Sequence, residues 1–130
     1  MDFVSFEIAK KLKEKGFQEE CLCHYVGEDL VYNIESPIAN NQLWFCHNKY
    51  DNIWHRYNYD APTISQVLKW FRDKNIYCLP WFEQGVDMWF YAICKPTCGC
   101  DFPEFISKSD YDTYEQAAIA GIEYVLNNLI

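Results

Sequence analysis

Three segments of the chain carry hydrophobic residues at helical spacing, and denser apolar runs broken by turn residues lie between them. In the segment 61–73, Ile64, Val67, Leu68 and Phe71 follow the i, i+3, i+4, i+7 rule, and Thr63 with Gln66 fits a capping box. This predicts a helix over Thr63–Lys74, ended by Asp73-Lys74-Asn75. Near the start, Ile8, Ala9 and Leu12 form one stripe, Ser5 is placed to cap it, and Gly16 is placed to end it with Phe17 folding back. This predicts a helix over Ser5–Lys15. The third stripe is the longest: Tyr114, Ala117, Ala118, Gly121, Ile122, Val125, Leu126 and Leu129. With Asp112 or Thr113 as cap it predicts a helix over Thr113–Leu129, and its small residues imply close approach to a sheet.

The stretches between read as strands. Leu22–Tyr25 and Leu30–Ile34 flank the turn-like Gly27-Glu28-Asp29. Gln42–His47 is a dense apolar run, and Ile53–Tyr59 alternates, with Trp54 and Arg56 on one side and Tyr57 and Tyr59 on the other. Ile76–Phe82 pairs with Met88–Cys94 through Glu83–Asp87 as a hairpin, and Pro80 makes the first arm an edge or a bulged strand. The segment Lys95–Ser109 reads as loop. The expectation is one α+β domain over residues 1–130, an antiparallel sheet of about four to six strands with three helices packed on it.

Composition adds two constraints. Half of the 130 residues are hydrophobic and 18% are aromatic, so the chain can build a core, but 5 Trp, 10 Tyr and 9 Phe will not all fit inside it. The net charge is −8, and from Asp101 onward six acids face a single base, Lys108. An acidic chain has nothing with which to replace the counterions of a nucleic acid, and it is repelled by anionic membrane surfaces. The expectation is therefore no nucleic-acid and no membrane partner. No apolar run reaches the roughly 20 residues of a membrane span, and no leader pattern opens the chain. With 7 cysteines, an odd number, reduced thiols in a cytoplasm are expected.

The Ala61-Pro62-Thr63…Trp70-Phe71-Arg72-Asp73 segment, the hairpin after it and Tyr111-Asp112-Thr113-Tyr114-Glu115-Gln116-Ala117 resemble a family of short uncharacterised proteins from gut Bacteroidetes and their phages and prophages. The Ser5–Phe17 helix is similar as well. The resemblance covers about half the chain and leaves Cys21–Tyr59 unmatched. Its motifs are caps and core stripes, so it implies a fold and a phage or prophage origin, and no activity.

Four chemistries can be weighed on the residues. Cys94, Cys98 and Cys100 are the first candidates for a zinc site, with Cys21, Cys23-His24 and Cys46-His47 as further ligands; the bland alternative is buried thiols. The histidines His24, His47 and His55 give no protease-like Cys-His context. Neither a Gly-x-x-x-x-Gly-Lys nor a Gly-x-Gly-x-x-Gly run is present. Trp54, Tyr57, Trp81 and Trp89 are candidates for a partner-binding surface, against the alternative of cross-strand packing. If one face of the hairpin meets the core, Trp81 or Phe82, and Trp89 or Phe90, must face away from it. The expected function is that of a small non-enzymatic accessory protein without a cofactor. It acts by protein-protein binding, to a partner or to a second copy as a homodimer. A zinc-stabilised domain is the runner-up, and an enzyme of unknown class comes third.

Overall fold

The computed structural model describes residues 2–32, 58–96 and 103–130. Their elements are α1 (Phe6–Glu14), β1 (Cys23–Val26), β2 (Asp29–Tyr32), β3 (Asn58–Ala61), α2 (Ile64–Asp73), β4 (Tyr77–Glu83), β5 (Met88–Cys94), β6 (Phe105–Ile106) and α3 (Tyr114–Asn128). The class is α+β. The six strands divide between two antiparallel sheets of three, ordered β2-β1-β3 and β4-β5-β6. The expected strands at Gln42–His47 and over most of Ile53–Tyr59 lie outside the described residues, as do Cys46, His47, His55, Cys98 and Cys100.

The chain forms two compact units that meet in sequence near Thr63. In the first, α1 lies on the β2-β1-β3 sheet. Ser5 Oγ accepts from the Ile8 N–H at 3.3 Å, which satisfies one of the donors a helix start leaves open. At the other end Gly16 adopts φ 89°, and the Phe17 and Gly16 N–H groups donate to Leu12 and Lys13 carbonyls at 2.9 and 3.2 Å. This is a Schellman stop, and it drives Phe17 into the core, where it is fully buried with Ile8, Ala9 and Leu12. Tyr25 on β1 donates its hydroxyl to the Val4 carbonyl at 2.5 Å, and Phe6 packs edge-on against Tyr25 and Tyr59. The β1–β2 hairpin turns on Gly27-Glu28, with Gly27 at φ 61°.

In the second unit, α2 and α3 pack on the β4-β5-β6 sheet. The stripe on α2 is buried as the spacing predicts, Trp70 with it. The helix stops on the device used by α1, with Asn75 at φ 62° in place of glycine. The Ile76 and Asn75 N–H groups donate to Phe71 and Arg72 carbonyls at 3.0 and 2.9 Å, and Ile76 is buried. Thr113 caps α3, accepting from the Gln116 N–H at 3.1 Å, while Gln116 Oε1 accepts from the Asp112 N–H at 2.9 Å. The box thus closes one residue upstream of the cap. The face of α3 built from Ala117, Ala118, Gly121, Ile122, Val125 and Leu126 is buried. At Gly121 the sheet comes so close that an added Cβ would stand 2.4 Å from Cys78 Sγ and 3.2 Å from the Tyr91 ring.

Candidate functional site: the open face of the β4-β5-β6 sheet

The register of β4 on β5 decides which side chains share a face. Cys78 pairs with Ile93, Pro80 with Tyr91 and Phe82 with Trp89, while Leu79 pairs with Ala92, Trp81 with Phe90 and Glu83 with Met88. Cys78, Ile93 and Tyr91 are buried under α3. Phe105 continues that side, stacked on Tyr124 of α3 at 4.3 Å. Trp89 belongs to the same side, in contact with Phe82 at 5.4 Å and with Tyr114 of α3 at 5.6 Å. The alternate residues form the other face. Leu79, Trp81 and Ile106 are all exposed there, Trp81 to 63%.

Pro80 suits β4 to the outer edge of the sheet that the described residues form. Trp89 exchanges both backbone hydrogen bonds with Tyr111, and the Tyr91 and Ile93 carbonyls accept from Ser107 and Glu104. Those residues of β5 therefore face β6, and Phe90 and Ala92 turn their backbone groups to Trp81 and Leu79. Pro80, between them, presents its backbone to the outer edge. The missing N–H costs no ladder bond there, and it takes a donor away from any strand that would add to this edge.

The hairpin loop is Gln84–Asp87, one residue shorter than the sequence predicts, because Glu83 still pairs with Met88. Asp87 at φ 55° closes it, donating its N–H to the Glu83 carbonyl at 2.9 Å. The loop curls Val86, 55% exposed, toward Trp81 and Phe90. On the far side the chain leaves β6 through Ser107, whose Oγ accepts from the Tyr91 N–H at 2.9 Å. Ser109 then donates to Glu83 Oε2. The result is a groove of about 880 Å³ at this end of the hairpin, with Trp81, Phe82, Val86, Phe90 and Ile106 as its apolar lining and Glu83 and Lys108 as its charged lining.

Of the residues the sequence singles out, Trp81 stands in this groove and Trp89 lies on the opposite face of the sheet. Trp54 and Tyr57 lie outside the described residues. Phe90 and Ile106 complete the surface. Strand alternation places Phe90 beside Trp81 once the register is known, whereas Ile106 sits in a segment read as loop.

The other candidate chemistries gather less. Cys94 is half-buried at the end of β5, and among the described residues no group of three or more His, Cys, Asp or Glu side chains could hold a metal. Cys23, Cys78 and Cys94 are free thiols, and the Cys21 thiol donates to the Glu19 carbonyl at 3.5 Å. Burial pushes the Cys23 thiol up and the Cys78 thiol to about 12, away from the thiolate that nucleophilic or ligand chemistry needs. Cys23 and His24 are consecutive on β1 and so point to opposite faces. His24 stands across from Asp60 of β3, and both are buried. Nothing in the local sequence pattern separates Asp60 from a turn acid. Comparison with family models, with curated proteins and with solved structures finds no match to this chain.

Proposed function

We propose that the chain is a small non-enzymatic accessory protein that acts by binding another protein through the open face of the β4-β5-β6 sheet. The observation that carries this reading is the cluster of Trp81, Val86 and Ile106, each more than half exposed, around one groove. Monomeric proteins rarely leave large apolar side chains gathered in one place, and tryptophan is among the residues that dominate interface energetics. The other face of the same sheet is packed under α3, so the outer residues add nothing to that core. The net charge of −8 argues against a nucleic acid as the partner. On the resemblance to proteins of gut Bacteroidetes and their phages, the partner belongs to a bacterial host or to the phage, met in the host cytoplasm.

The test compares the parent chain with Trp81→Ser and Ile106→Ser. Both are tagged, captured from the source cells and passed through light scattering. The reading predicts a defined partner retained by the parent and lost by both variants. A parent that stays monomeric and returns the same proteins as the variants would refute it.

A further inference from the structure

The groove itself says which chemistry it takes. Three features of its surroundings are independent of one another. First, the groove is lined by the Glu83 carboxylate and the Lys108 ammonium, and the exposed Asp87 and Asp110 are the chain neighbours of its lining residues Val86 and Ser109. Second, Trp81 and Glu83 are two residues apart on β4, so they share a face at roughly 7 Å spacing. Third, Pro80 removes one backbone donor from the outer edge of β4, so an extended segment added there would have a gap in its ladder.

We infer that the occupant is a basic segment of another protein, anchored by an arginine laid over the Trp81 ring and held at Glu83, with an apolar neighbour in the groove. This rests on the protein-binding reading above and names the partner's chemistry. An exposed indole attracts a cation to its face. A guanidinium adds planar stacking and a fork that matches a carboxylate. The Glu83 carboxylate is held in place by the hydroxyl of Ser109, which leaves it oriented before anything binds. The chain already uses the same contact internally: Lys74 Nζ sits 4.5 Å from the Trp70 ring centroid, and Lys13 Nζ sits 5.1 Å from that of Tyr59. The net charge of −8 draws a basic segment in and repels a second copy of the same acidic patch. Recognition then runs through side chains.

Random linear peptides displayed on a particle and selected on the immobilised parent chain test this. The expected selection is enriched in arginine next to apolar or proline residues, and its enrichment disappears on Trp81→Ser and on Ile106→Ser. Glu83→Gln lowers the affinity of the best such peptide by about ten-fold or more, and added salt weakens it further. All three residues are exposed, and matching thermal midpoints confirm that the variants fold. Neutral or acidic peptides that still require Trp81 would overturn the basic partner and leave the docking face standing. No enrichment, or enrichment that survives both substitutions, would overturn the two together.

Discussion

At Gly121 the spacing between helix and sheet is set by a single hydrogen atom. Gly121→Ala would drive its Cβ into the Cys78 sulfur and the Tyr91 ring. We predict a loss of about 1–3 kcal/mol in urea unfolding. Removing the sulfur should recover part of it, so Gly121→Ala/Cys78→Ala is expected to be more stable than the two single losses sum to. Additive losses would mean that the helix simply shifts. Cys78 and Tyr91 also tie stability to pH. Burial pushes both groups up from the usual thiol and phenol range to about 12. Each is neutral in both states at lower pH, and at higher pH the unfolded chain ionises first. Their contribution is therefore complete below about pH 9 and is lost as pH rises toward 12. Urea midpoints should fall across that window, and Cys78→Ala should fall less steeply through its lower part. A flat profile would show that neither group is held away from water. The Gly121 contact was legible only as a preference, since three small residues in one stripe announce close approach without naming what approaches.

Elements were read most easily where local chemistry and burial agree. The caps at Ser5 and Thr113, the stops at Gly16 and after Asp73, the stripes of α1 and α2 and the middle of the α3 stripe follow from residues within one turn of each other, whereas Tyr114 and Leu129 at the ends of that third stripe are not buried. The first stop rests on backbone that only glycine adopts freely, so Gly16→Ala should cost about 1 kcal/mol in thermal unfolding, and Thr113→Ala about as much. Values near zero for both would show that packing alone fixes these helix ends. Phe71 is wholly buried on α2, and Phe71→Asp should cost several kcal/mol by placing a carboxylate in the core. A parent-like midpoint for that variant would mean the helix presents another face. The element that escaped was β6. Two residues carry no period, and Phe105–Ile106 is a strand because β5 offers it unpaired backbone groups. The same limit hid the groove, which needs the β4–β5 register, the loop length and β6 together. The division of the strands between two sheets depends on pairings far apart in the chain, which no local pattern encodes.

For the whole molecule, the aromatic surplus visible in the composition has a destination in part: Trp70 goes to the core, Trp89 to the rim of the α3 interface, and Trp81 to the surface. Because Trp81 and Ile106 add little to the fold, Trp81→Ser/Ile106→Ser should keep the parent's thermal midpoint and reduce aggregation at high concentration. A large drop in midpoint would make these side chains structural and remove the basis for a docking surface. The most direct measurement places the photoreactive residue benzoylphenylalanine at Lys108, which lines the groove and leaves Trp81 intact, and separately at Glu123, which is exposed on α3, and irradiates living cells that express each chain. The account predicts a discrete heavier adduct from position 108 and none from position 123. No adduct at position 108, or equal adducts from both, would contradict it.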